Sequence, residues 1–208
     1  MTAKVSKNEI RKNHWENIYK TKDVTQVFWY QSSPYKSVEL IKEYLNIDSK
    51  VIDIGCGTSY LVDTLLEEGY SNISVLDISR NSLEILKNRI KSSKINFICS
   101  DILDFKSNEK FDIWHDRAVF HFLQNKEDKT KYFEILSDSL KDGGVCILST
   151  FRVDGDVSCA GLDVVQYDAK IIQNILPKSL KLVSYEDYTH ITPKDTEQKY
   201  IYFVLQKR

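Results

Sequence analysis

Val51-Ile52-Asp53-Ile54-Gly55-Cys56-Gly57-Thr58-Ser59 runs from a β-branched apolar strand into a glycine turn, and helical periodicity over Tyr60–Glu68 follows directly. In a doubly wound sheet the carboxyl end of the first strand is where a nucleotide-like cofactor lies. Glycine lets the backbone approach such a ligand without a Cβ clash. A dinucleotide fingerprint would place a third glycine at position 60, where Tyr60 stands. No second small residue admits a pyrophosphate, and Asp53 lies two residues before the first glycine, so a nicotinamide site is disfavoured. The plainer alternative is a glycine turn that serves only strand-to-helix packing.

Outward from this stretch, β-branched apolar runs alternate with helical patterns, the mark of repeated βαβ units. Strands are expected at Val51–Ile54, Ile73–Leu76, Ile95–Cys99, Phe111–His115, Gly144–Thr150, Leu180–Tyr188 and Tyr200–Gln206. Helices are expected at Tyr60–Glu68, Ser79–Ile90, Asp128–Leu140 and Asp168–Leu176. Lys141-Asp142-Gly143-Gly144 reads as a helix stop and tight turn into the fifth strand. Only a short connection, Pro193–Gln198, separates the last two strands, so they should pair as an antiparallel hairpin at a sheet edge.

A chain of 208 residues with 42% hydrophobic and 28% charged residues is of a size for one ordinary domain. Lys plus Arg number 29 against 30 Asp plus Glu, so no global basic excess points to nucleic acid. Met1–Lys12 carries scattered charge and no apolar leader, and no window approaches the roughly 18 apolar residues of a membrane span. The expectation is a cytoplasmic protein with no membrane association. Cys56, Cys99, Cys146 and Cys159 are widely spaced, which suggests neither a disulfide framework nor a metal site.

Asp77 ends the second strand twenty residues past Gly57, where a carboxylate can accept both ribose hydroxyls; capping the next helix is its alternative, a job Ser79 could take. Asp101 follows the third strand, either as a further ligand or as a solvated turn acid. The acid-x-Gly-x-Gly pattern of Asp53, Gly55 and Gly57 resembles the S-adenosylmethionine (SAM) loop of class I methyltransferases, a resemblance covering roughly residues 48 to 208. It implies an α/β fold with a Rossmann-like, doubly wound, seven-stranded sheet, mostly parallel with an antiparallel carboxyl-terminal hairpin strand, and helices on both faces. It also implies SAM as cofactor: Gly55, Cys56 and Gly57 beside the methionine part, Asp53 at its amino group, Asp77 and Ile78 at the ribose, Asp101 and Ile102 at the adenine.

After the fourth strand comes Asp116-Arg117-Ala118-Val119, facing the transferred methyl in folds of this kind. Lysine methyltransferases with a similar glycine loop typically carry Asp-Lys-Gly-Thr here, so the segment favours a small-molecule acceptor over a protein one. Asp116 is a candidate to orient a nucleophile or bind the cofactor amine, and Arg117 to clamp a substrate carboxylate. Alternatively Asp116 caps the following helix and Arg117 pairs with an acid. His115 would face opposite to Asp116 if the strand runs that far; it and His121 are read as packed core histidines.

Residues 1–47 form an aromatic segment expected to fold as a lid over a domain at 48–208. Trp29 and Tyr30 are its candidates at the sulfonium, Trp29 as a cofactor contact and Tyr30 as a catalytic residue, since aromatic faces attract cations. Trp15 and Tyr19, four apart, can equally glue a helix to the domain. The stretch Thr150–Tyr167, about 17 residues long, is a candidate substrate wall.

Overall fold

The computed structural model describes residues 6–208, so Met1–Val5 of the expected leaderless start lie outside the described residues. The elements are α1 (Lys7–Thr21), α2 (Tyr35–Lys42), β1 (Val51–Ile54), α3 (Leu61–Glu67), β2 (Ile73–Asp77), α4 (Arg80–Ile90), β3 (Ile95–Cys99), β4 (Phe111–Arg117), α5 (Lys126–Ser139), β5 (Leu140–Phe151), β6 (Ser158–Cys159), β7 (Leu162–Asp163), α6 (Ala169–Ile175), β8 (Leu180–Ile191) and β9 (Glu197–Lys207). The main sheet has the order β3-β2-β1-β4-β5-β9-β8. β1 to β5 pair in parallel, and β9 pairs antiparallel with both β5 and β8. The expected seven-stranded sheet and edge hairpin are therefore observed.

β1 and β2 are buried on both sides, as continuous apolar strands under two helical layers must be. One layer packs Val38, Leu40 and Ile41 of α2, Leu61 and Leu65 of α3, and Leu83 and Leu86 of α4 against Val51, Val75 and Ile113. The other packs Tyr132, Phe133 and Leu136 of α5 and Ile172 of α6 against Ile52, Trp114 and Leu148. The chain order reverses at β1 and β4, which opens a crevice beyond their carboxyl ends. α1, capped by Ser6 through the Glu9 N–H, lies along α4 at that edge. Among the described residues no helix is long and apolar enough to cross a membrane.

The expected helix stop at Lys141–Gly144 is corrected. α5 ends at Ser139, and Leu140, the residue after it, turns extended (φ −82°, ψ 146°) and starts β5 at once. Leu140 is fully buried opposite Phe111, and the next pair is Ile113 with Val145, so residues 141–144 form an excursion within the strand. Gly143, at φ +76°, turns that excursion. β4 also runs two residues beyond its expected end, carrying Asp116 and Arg117 on the sheet itself. The long Thr150–Tyr167 stretch is ordered by the β6–β7 hairpin and by the Tyr167 N–H donating to the Phe151 carbonyl.

Candidate active site

The glycine turn is held from below and behind. The N–H groups of Gly55 and Cys56 donate to the Leu76 carbonyl (2.7 and 3.1 Å), and the Gly57 N–H donates to Asp77 Oδ2 at 2.8 Å. Gly55 and Gly57 adopt φ +63° and +52°; a Cβ on the first would overlap Val119, and on the second the Tyr19 hydroxyl. Arg89 of α4 donates to the carbonyls of Thr58 and Ser59 and forks onto Asp63 at 2.9 and 2.8 Å.

Asp77 does not cap α4. Ser79 does, its hydroxyl accepting the Ser82 N–H, while Asp77 Oδ1 accepts the Ser79 N–H at 2.8 Å. Burial pushes the Asp77 carboxyl up to about 6. Each oxygen takes one backbone donor and keeps a second lone pair, as a ligand for two hydroxyls requires. Asp101 Oδ1 accepts the Leu103 N–H (2.9 Å), and its Oδ2 takes Arg11 Nη2 at 2.6 Å and Nε at 3.1 Å. Glu16 binds the start of α4 through the Ser79 hydroxyl and the N–H groups of Arg80 and Asn81. Thus α1 closes over the crevice by ion pair and cap as well as by its aromatic face.

Two cavities open along this edge. The first, about 780 Å³ of empty space open to solvent, is lined by Asp77, Ile78, Asp101 and Ile102 on one side and by Trp15, Trp29 and Phe122 on the other. The second, about 550 Å³, is lined by Asp53, Cys56, Gly57, Tyr30, Ser37 and His115. Tyr19, Trp29, Gly55 and Arg117 line both. Trp15 meets Trp29 and Phe122 edge-on at 5.8 and 5.3 Å, and Tyr30 meets Tyr60 at 6.2 Å. Cys159, from the segment read as a substrate wall, reaches the first cavity.

Register explains which side chains reach the cavities. Asp53 pairs with His115, and Arg117 with Ser149, which pairs with Tyr202; these alternate with residues of the other face. His115 Nδ1 lies 2.7 Å from Asp53 Oδ1 and its Nε2 lies 2.9 Å from the Ser37 hydroxyl, which in turn is 3.3 Å from the Tyr202 hydroxyl. This histidine is a wired core residue whose role is to fix Asp53, leaving Asp53 Oδ2 buried and unpartnered beside the second cavity. A cofactor ammonium would satisfy that oxygen.

Asp116 is the site candidate that the structure does not bring to the cavities. It points to the opposite face, fully buried, where Oδ1 accepts the Val119 N–H at 2.9 Å and Oδ2 accepts the Tyr132 hydroxyl at 2.6 Å. Burial pushes its carboxyl up to about 6. The arrangement holds the turn after β4, where Ala118 sits at φ +72° against the preference of an L residue. Tyr132→Phe should therefore cost about 1–3 kcal/mol in denaturant unfolding by stranding that oxygen. His121 is buried without a partner, and burial with the nearby Arg117 charge lowers it to about 3, so it stays neutral.

Arg117 is set differently. Its Nη1 donates to the Trp29 carbonyl at 3.1 Å and its guanidinium stacks on the Tyr200 ring at 4.7 Å. Nε and Nη2 are buried with no hydrogen-bond partner. The expected alternative, a neighbouring acid, is not found among the described residues, whose ion pairs leave Arg117 out.

Comparison with known proteins agrees with this geometry. The chain is 36% identical over 106 residues to malonyl-[acyl-carrier protein] O-methyltransferase 2 of Ilyobacter polytropus, covering 50% of this chain and 40% of that one. It is 32% identical over 97 residues to trans-aconitate 2-methyltransferase of Rhizobium rhizogenes, covering 46% and 36%. It thus spans less than half the length of these curated relatives. The N-methyltransferase NodS of Bradyrhizobium japonicum, solved with S-adenosyl-L-homocysteine, shares the fold with TM-score 0.71 over 93% of this chain and 98% of that one, at 16% identity. A family model described as a methyltransferase domain matches residues 45–202. With the glycine turn, the strand-end acids and the sheet order already in place, this match makes the chain a member of the methyltransferase-domain family, on the class I SAM-dependent fold.

Proposed function

We propose that this chain transfers the methyl group of SAM to a small-molecule acceptor bearing an anionic group, held where the two cavities meet. The observation that carries the reading is Arg117: a buried guanidinium on the wall of both cavities, with a free donor edge and no acidic partner. An unpaired buried charge costs several kcal/mol, and an anionic ligand would offset that.

The residues fit the cofactor. Asp77 and Asp101 would hold the ribose and adenine, the backbone at Gly55 and Gly57 would admit the methionine part, and Asp53 Oδ2 would take its ammonium. When bound, SAM supplies a methyl already activated by its sulfonium. What remains for the protein is positioning and exclusion of water, by Trp15, Trp29 and Tyr19 above and the sheet edge below. Tyr30 and Trp29 face the same space and would border the cationic sulfur. The acceptors named for the two curated relatives, malonyl-[acyl-carrier protein] and trans-aconitate, each carry a carboxylate, which supports an anionic acceptor here. We assign the chain to the cytoplasm, since its four unpaired cysteines, Cys99 exposed, suit a reducing compartment.

Arg117→Lys should lower turnover roughly tenfold or more while keeping the charge, because the bidentate edge is gone. SAM affinity should barely change. The reading itself is tested by incubating labelled SAM with low-molecular-weight and protein fractions of a cell extract. Label is expected among small molecules; one discrete labelled protein band, with none among small molecules, would contradict it.

A further inference from the structure

We propose that the carboxylate held by Arg117 is itself the methylated group, so that the product is a neutral methyl ester. The inference rests on the methyl-transfer reading above and narrows it to one acceptor chemistry.

The free atoms of Arg117, Nε and Nη2, form the side-on edge of the guanidinium, the fork whose two parallel N–H bonds match the two oxygens of a carboxylate. Its third nitrogen is tied to the Trp29 carbonyl and its face rests on Tyr200, so the side chain has no freedom to swing that edge away. The fork thus keeps two unpaired, parallel donors, fit for a planar anion, on a residue that walls both cavities.

The same junction lacks a free base. Among the described residues lining either cavity, His115 is engaged at both ring nitrogens, by Asp53 and Ser37. Burial holds the Cys159 thiol protonated, pushed up to about 12, and raises the Tyr19 phenol well above its ordinary range. Asp77 and Asp101 belong to the cofactor side, each already accepting backbone donors, and the one unpartnered carboxylate oxygen beside the second cavity, Asp53 Oδ2, is the one placed to take the cofactor ammonium. An ammonium acceptor would have to shed a proton with no group placed to take it, and would meet the Arg117 charge. A carboxylate arrives ionised and is drawn to that charge.

The step balances without any further reactant. A carboxylate oxygen forms a bond to the methyl carbon while the carbon–sulfur bond breaks, its electron pair staying on sulfur. One anion and one sulfonium become a neutral ester and a neutral thioether, and no proton moves. The ester no longer pairs with Arg117, so the holding interaction is lost with the reaction, which favours release.

The free edge could also be met by the cofactor's own amino-acid carboxylate, and the experiment separates the two sources. Benzoate and benzamide are titrated by ligand-observed NMR into the protein saturated with S-adenosylhomocysteine, for wild type and Arg117→Met. Benzoate should bind, benzamide should not, and the variant should weaken benzoate at least tenfold. In parallel, S-adenosylhomocysteine and 5′-methylthioadenosine, which lacks the amino-acid part, are compared by calorimetry. The variant should change neither; selective loss of S-adenosylhomocysteine affinity would give Arg117 to the cofactor and overturn the proposal. Finally, small molecules labelled from SAM in an extract are treated with mild alkali. Release of the label as volatile methanol is expected. An alkali-stable label would overturn ester formation while leaving methyl transfer to small molecules intact, and SAM binding with no transfer to any fraction would overturn both.

Discussion

Asp77→Ala should weaken SAM binding by about 1–3 kcal/mol, roughly five- to 150-fold in dissociation constant, because it removes a charged acceptor from two ribose hydroxyls. The same carboxylate accepts the N–H groups of Gly57 and Ser79, so the variant also loosens the turn that carries the methionine part. Asp77→Asn keeps the shape and one acceptor and should fall between wild type and Ala. Since the Asp77 carboxyl sits at about 6 before ligand binds, raised by burial, SAM affinity should hold above that pH and decline as pH drops through it. The sign follows from the ionised form being the better acceptor. Calorimetry on a folded Asp77→Ala protein giving an unchanged dissociation constant, or an affinity flat from pH 7.5 to 5, would contradict the ribose role.

Gly57→Val should leave no measurable SAM binding. Position 57 holds φ +52°, which costs an L residue about 1–2 kcal/mol and a β-branched one more. Its Cβ would overlap the hydroxyl of Tyr19, a buried side chain that also walls both cavities. Gly143→Ala is the matched comparison: φ is +76° there too, but nothing lies within 4 Å of the added carbon. That variant should lose some stability and bind SAM normally. Normal affinity in Gly57→Val would mean that the turn does not approach the cofactor.

The cofactor half was legible in the sequence because its signals are local. A glycine pair after a buried strand, and single acids at the ends of the next two strands, need only the βα repeat to be placed on one edge. The rest depends on contacts that no short window contains. Ser37 and His115 meet across 78 residues, and Arg11 reaches Asp101 across 90. Arg11 sits in a stretch that reads only as scattered charge, and α2 has no strong motif, so neither was expected at the site. Strand alternation decides where Asp116 goes. β4 runs through Arg117, and successive side chains on a strand take opposite faces, so Arg117 shares the cavity face with Asp53 and His115 while Asp116 goes to the α5 side. The Arg117 edge itself could be suspected from sequence, but its lack of an acidic partner could be read only in three dimensions.

The central claim is that this crevice is built for SAM. Separate calorimetric titrations of the protein with SAM and with NADH test it most directly. A saturable one-to-one isotherm with SAM, weakened in Asp77→Ala and absent in Gly57→Val, and no heat from NADH, is the predicted result; binding of NADH with none of SAM would contradict the account.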